Sequence, residues 1–286
     1  MNSSDGITVQ APAKINLTLE VTGKRPDGFH NIRSVIQAVD LCDYLTVRSA
    51  PDISVTCNVP WWSVEQSLVG RAIALMREAA GGSRGAVVTI EKHIPLMSGL
   101  GGDSSDAAAV LKALDTLWGT GLTEEKLREM AGGLGSDVFF FLDSGTALVE
   151  GRGEIIRPLP SPQPWWLLLA MPDGPVSPGK TAAMYARLTR AHYTKGAFTD
   201  KVAAAMEAGK RPEPSMLFNV FQHIAFGDFD RCWVYAERLV SLGAPRVHLA
   251  GSGPALFTLF EDRAAAEELY NRCREEGMEV YLARTL

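Results

Sequence analysis

Cysteine is scarce in this chain. There are four in 286 residues, Cys42, Cys57, Cys232 and Cys273. They stand far apart and form no C-x-x-C pair, which argues against a zinc site or a disulfide-stapled scaffold and fits a reducing, cytoplasmic setting. A long hydrophobic run is also missing. The longest, Trp165 to Met171, falls well short of the roughly 20 residues a membrane-spanning helix needs, so no membrane partner is expected. Residues 1–10 lack a basic start followed by an apolar stretch, so no secretory leader is expected. Basic residues do not dominate: 28 Lys and Arg face 33 Asp and Glu, a formal net charge of −5. They do not cluster along any stretch, so a nucleic-acid partner is not expected. An anionic ligand must then be held locally, by a few lysines, backbone N–H groups and helix N-termini. No repeat with a spacing of about 20 to 50 residues is visible.

What is present is an ordinary folding composition, 46% hydrophobic and 21% charged, in a chain long enough for a large core. The length suits roughly two domains. Pro158 to Pro164 holds four prolines in seven residues and is the natural linker, because proline continues neither a helix nor a central strand. We therefore divide the chain into 1–160 and 161–286. In the first part, residues 13–21 alternate like a strand. Further strands are expected over 32–41, 44–47, 53–57 and 86–90, and helices over 64–80, 107–118 and 124–130. In the second, strands are expected over 165–171, 246–250, 255–260 and 279–282, with helices near 181–189, 230–242 and 264–276. Helices segregated against antiparallel strands make the expected fold class α+β, in two halves.

Five segments carry chemistry. Gly99-Leu100-Gly101-Gly102-Asp103-Ser104-Ser105 enters an alanine-rich helix. Its glycines let backbone N–H groups close on an anion at a helix N-terminus, and its serines add donors or a magnesium ligand. The plainer account is a tight loop with an ordinary N-cap. Asp103 is awkward in a phosphate cradle: it either caps the helix or approaches a metal. Lys14 and Asn16, two apart on a strand, share one face, which either binds a substrate oxygen or is simply solvated. Asp137 precedes the apolar run Val138 to Leu142 and is either an N-cap or a partly desolvated base. Phe29 and His30 suit stacking on and hydrogen bonding to a ring, or are a packed Phe beside an exposed His. Gly251-Ser252-Gly253 either approaches a ligand or joins two strands. Gly174 to Thr181 also fits the pattern G-x-x-x-x-G-K-[ST]. Pro175 and Pro178, however, remove N–H groups a phosphate loop uses, and a turn into a helix is the better reading.

Together these segments resemble the GHMP kinase superfamily, which includes galactokinase and the homoserine, mevalonate and phosphomevalonate kinases. The resemblance lies in Pro12-Ala13-Lys14-Ile15-Asn16-Leu17, Asp27-Gly28-Phe29-His30, Pro95 through Ala108, Leu134 through Val138 and Gly251-Ser252-Gly253, in that order. Lys-x-Asn with Asp-Gly-Phe-His points to the branch acting on a cytidine diphosphate-linked methylerythritol in non-mevalonate isoprenoid biosynthesis. The resemblance implies a two-domain GHMP kinase fold with the active site in the cleft between the domains. It implies ATP and Mg2+ and a cytoplasmic monomer or weak homodimer; no residue is singled out as a metal ligand. It implies Asp137 as the catalytic base and Lys14 as the residue orienting it. Asn16 would contact the methylerythritol hydroxyls, Phe29 and His30 the cytosine, and Tyr185 the second face of that base. Pro95, Gly99, Leu100, Gly101, Gly102, Asp103, Ser104 and Ser105 would hold the nucleotide. Phe139, where the family commonly has Pro, and Val220, where it often has Asp, depart from the pattern. Another GHMP small-molecule kinase and a non-catalytic nucleotide sensor are the alternatives, the latter disfavoured by the presence of both Lys14 and Asp137.

Overall fold

The alternation over residues 13–21 belongs to a longer strand, β1 (Ile7–Lys24), in a computed structural model that describes residues 6–143, 145–161, 163–174, 179–228 and 230–286. Pro175, Val176, Ser177 and Pro178 of the second glycine–lysine pattern lie outside the described residues. There follow β2 (His30–Ala50), β3 (Ile53–Cys57), α1 (Leu68–Ala79), β4 (Gly85–Glu91), α2 (Gly102–Trp118), α3 (Glu124–Leu134), α4 (Ser136–Asp143), β5 (Thr146–Gly151) and β6 (Ile155–Pro158). The rest is β7 (Trp166–Met171), α5 (Lys180–Ala186), α6 (Ala197–Glu207), β8 (Phe218–Asn219), α7 (Val220–Asp228), α8 (Asp230–Ser241), β9 (His248–Leu249), β10 (Leu256–Phe260), α9 (Arg263–Glu275) and β11 (Glu279–Arg284).

One sheet has the order β3-β4-β2-β1-β8, with β5 pairing β2 and β6. The other is antiparallel, in the order β11-β7-β10-β9. By contacts the chain forms two units, each assembled from separate segments. The first is Met1–Ala13, Cys42–Leu96 and Gly101–Ser144; the second is Lys14–Leu41, Met97–Leu100 and Gly145–Leu286. The interleaving arises because β1 and β2 each contribute residues to both.

In the first unit α1 packs on α2, and α2 on α4. The helix expected over 64–80 starts late. Ser67 is extended, and its hydroxyl accepts the Gly70 N–H, capping α1 after a short 3-10 turn at Val64–Gln66. Val69, Ala72, Ile73 and Met76 form its buried face. In the second unit, Leu168 and Ala170 of β7 pack with Val220, Phe221, Leu239, Leu256, Leu269 and Val280 in one apolar core. The polar face of β1 is buried there as well: Lys14, Asn16, Thr18 and Glu20 are at most 5% exposed. Such groups need partners. Glu20 Oε2 accepts the Thr199 N–H at 2.7 Å, satisfying the first turn of α6 where Gly196 offers no side-chain cap.

His248 is buried in β9, its ring 5.3 Å from that of Phe257, and its Nε2 meets no protein partner. Burial, aided by the Arg246 charge, pulls its pKa from 6.5 to about 4. Between those values the unfolded chain binds more protons, so the stability held above pH 6.5 is lost as the pH falls toward 4. His248→Gln should therefore shrink the pH 7 to pH 4 difference in unfolding free energy by about 3 kcal/mol, read from denaturant titrations at both pH values.

Candidate active site

In the second unit, the polar face of β1 carries Lys14 and Asn16. Lys14 Nζ donates to Asn16 Oδ1 at 2.8 Å. Asn16 Nδ2 donates to Ser34 Oγ at 2.9 Å, and Ser34 Oγ to the Thr18 carbonyl at 2.5 Å. A solvated face is thereby excluded: this is a buried, ordered relay ending in an ammonium. The Lys14 backbone N–H donates to the Leu100 carbonyl at 2.9 Å, so the same strand holds the end of the Ser98–Leu100 segment.

The Gly251-Ser252-Gly253 turn closes on this assembly. Gly99, at φ +89, lies so near that an added Cβ would be 2.4 Å from the Ala250 carbonyl oxygen. The Ala255 N–H donates to the Ser98 carbonyl at 3.0 Å. A Cβ on Gly251 would lie 2.8 Å from the Gly99 carbonyl oxygen and 3.2 Å from Lys14 Nζ. Asn219 Nδ2 donates to the Leu249 and Gly251 carbonyls at 2.9 and 2.8 Å, fixing the turn from behind. Lys180 Nζ donates to the Ser252 carbonyl at 2.7 Å, and the Thr181 and Ser252 hydroxyls are 2.9 Å apart. This turn is therefore part of the wall beside Lys14, and more than a strand connection. Burial pulls the Lys180 pKa down to about 8.

The aromatic residues lie in the second unit too. Phe29 is 56% exposed, with the Arg152 guanidinium 4.9 Å over its ring. His30 stacks on Tyr185 at 5.3 Å and meets the edge of Tyr193 at 6.0 Å. Tyr185 in turn stands edge-on to Phe221 at 4.9 Å. Tyr185 is thus built in as the support of His30. Burial, with Lys24 adding to it, lowers the His30 pKa.

In the first unit, α2 begins at Gly102, earlier than its alanine run suggests. Gly101 is left-handed at φ 78, and no side chain caps the helix. The N–H groups of Gly102, Asp103 and Ser104 open the helix, the arrangement that binds anions. Ser104 is half-buried. Ser105 is buried, and its hydroxyl meets no protein partner. Pro95 is half-buried ahead of this turn.

Asp103 does not cap its own helix. Its Oδ2 accepts the Leu68 N–H at 3.0 Å, so it caps the start of the neighbouring α1. A carboxylate is favoured at that end of a helix, and the contact commits this oxygen to α1. Burial raises the Asp103 pKa. Asp137 lies in the first turn of α4, half-buried, two residues after Gly135.

Asn219 escapes sequence reading because its role is to hold two carbonyls some 30 residues downstream in the chain. Among the described residues, no group of three or more His, Cys, Asp or Glu could hold a metal, and no helix is long and apolar enough to cross a membrane.

Comparison with known proteins gives the family. The model of the GHMP kinases N terminal domain matches residues 67–145, and that of the GHMP kinases C terminal matches residues 230–278. The 4-diphosphocytidyl-2-C-methyl-D-erythritol kinase of Dehalococcoides mccartyi strain 195 is 45% identical over 280 residues, 98% of each chain. That of Symbiobacterium thermophilum is 40% identical, over 97% of this chain and 99% of the relative. A crystal structure of 4-(cytidine 5'-diphospho)-2C-methyl-D-erythritol kinase superposes with a TM-score of 0.83 at 30% identity, covering 98% of this chain and 99% of that one. Likeness of that extent, in both sequence and fold, means that the chain belongs to the 4-diphosphocytidyl-2-C-methyl-D-erythritol kinase family of GHMP kinases.

Proposed function

We propose that this chain transfers the γ-phosphoryl group of ATP to the 2-hydroxyl of 4-diphosphocytidyl-2-C-methyl-D-erythritol, a step of non-mevalonate isoprenoid precursor biosynthesis. The observation that carries the choice of substrate is the aromatic group, exposed Phe29 next to His30 stacked on Tyr185. A sugar-alcohol acceptor needs no such surface, whereas a cytosine ring does.

Phosphoryl transfer is mostly positioning and charge stabilisation. In this reading the backbone of Gly99, Leu100, Gly101 and Gly102, with the uncapped first turn of α2, holds the ATP phosphates. Pro95 shapes the approach to that turn. Asp103 contributes its backbone N–H while its side chain caps α1, and Ser104 and Ser105 contribute their hydroxyls. Asp137 takes the proton of the accepting hydroxyl. Lys14, held by Asn16, supplies positive charge to the phosphoryl group in transit, and Asn16 binds the methylerythritol hydroxyls. Phe29 stacks on cytosine, and His30, backed by Tyr185, hydrogen-bonds it. Mg2+ would neutralise charge on the phosphate oxygens, and the half-buried Ser104 hydroxyl is the group that would hold it.

The division into 1–160, for nucleotide and catalysis, and 161–286 is part of the proposal. It is supported by the two family models falling on either side of residue 160. A cytoplasmic location is supported by four cysteines that are all free. We also propose a monomer or weak homodimer.

Product analysis tests the reaction: 31P NMR should show a new phosphomonoester on C2 of the methylerythritol, and a phosphate at another hydroxyl would overturn the assignment. For the aromatic surface, Phe29→Ala should raise KM for the cytidyl substrate about 30-fold while KM for ATP moves less than about twofold. Equal effects on both would remove Phe29 from base recognition.

A further inference from the structure

A buried charge cluster lies beneath the first turn of α2. Lys92, just after β4, has a side chain 2% exposed, and its Nζ donates to Asp43 Oδ2 at 2.5 Å and Asp106 Oδ2 at 2.6 Å. Asp43, on β2, accepts the backbone N–H groups of His93 and Ile94 through Oδ1, at 2.5 and 2.7 Å. Asp106 stands about one turn along α2 from Gly102. A Cβ on Gly102 would come 3.2 Å from Lys92 Nζ and 3.1 Å from Ile94 Cγ2. One ammonium therefore ties β2, the segment after β4 and α2 together at the helix start.

Fold stability is a poor explanation for this cluster, since apolar residues of similar volume in place of a buried ion group are often neutral or stabilising. A cation is also unfavourable beside a helix N-terminus, unless an anion is to be received there. Although burial pulls Lys92 down, its two carboxylates outweigh that and raise its pKa, so it stays charged. Burial raises the Asp106 pKa against the pull of the Lys92 ammonium.

We propose that Lys92 is a positioning residue for the nucleotide: through Asp43 and Asp106 it sets the first turn of α2, and it lends positive field to the phosphates that this turn receives. It acts through α2. The proposal rests on the reading of α2 as the ATP-binding helix.

The test is calorimetric titration of each full-length protein with ATP, alongside steady-state kinetics. Lys92→Met, folded by circular dichroism, should raise the Kd for ATP at least about tenfold. Its KM for the cytidyl substrate and its kcat at saturating ATP should stay within about threefold. A folded Lys92→Met with a Kd within about twofold of wild type, or with kcat falling as far as affinity, overturns the proposal. Asp43→Asn is the second variant. It keeps an oxygen for the two N–H groups while loosening the hold on the ammonium. A rise in Kd of at least about threefold is expected, and an unchanged Kd overturns the proposal. A wild-type chain that binds no ATP overturns the functional reading itself, whereas wild-type binding matched by both variants overturns this proposal alone.

Discussion

Asp137→Asn lowers kcat by about three orders of magnitude and leaves the Kd for ATP within about threefold. Asparagine keeps the size and polarity of the side chain in the first turn of α4 but cannot take a proton. A positioned base contributes typically about 10²- to 10⁴-fold, so a loss in that range identifies a group acting in the chemical step. The substrate KM changes little, because the proton moves only in the transition state. Single-turnover kinetics at saturating ATP is the measurement. A variant that keeps near wild-type kcat removes Asp137 from the mechanism.

Gly99→Ala is the second large effect, and it acts through packing. Gly99 sits at φ +89, where a side chain is strained, and its Cβ would lie 2.4 Å from a backbone oxygen. A backbone oxygen cannot swing aside as a side chain would, so the Ser98–Leu100 segment and the Gly251 turn must part. Lys14, bonded to Leu100 through its backbone N–H and adjacent to Gly251, loses its setting. We expect kcat/KM to fall at least about 100-fold and Tm by roughly 5–10 °C. Gly28→Ala is the control. Gly28 has a similar φ of +86 but nothing within 4 Å of an added Cβ. Only the left-handed backbone cost of about 1 kcal/mol remains, with Tm lowered by roughly 2–4 °C. Equal losses in the two variants would show that backbone strain, not the approach to Ala250, governs Gly99.

Local signals in the sequence were informative where chemistry is local. The glycine stretch, the Lys14–Asn16 spacing and the strand ends at Ile53–Cys57 and Glu279 needed no tertiary knowledge. What stayed hidden depends on partners distant in the chain. Asp43 breaks the apolar pattern of residues 32–47 and reads as a gap between two strands. In the fold its carboxylate is buried on Lys92 and two backbone N–H groups, so β2 runs unbroken through it. Helix α6 has no cap in its own sequence because Glu20, on β1, supplies one. Asp103 looks misplaced in a phosphate loop until α1 is seen beside it. Each omission is a polar side chain whose partner lies 30 residues or more away, a distance that periodicity and capping rules do not span.

The most direct test of the account is ADP release, followed by a coupled assay, with ATP, Mg2+ and a panel of three acceptors. The account predicts rapid turnover with 4-diphosphocytidyl-2-C-methyl-D-erythritol and none above background with homoserine or mevalonate. Preferred turnover of either small acceptor, or ATP binding with no transfer to any of the three, would contradict it.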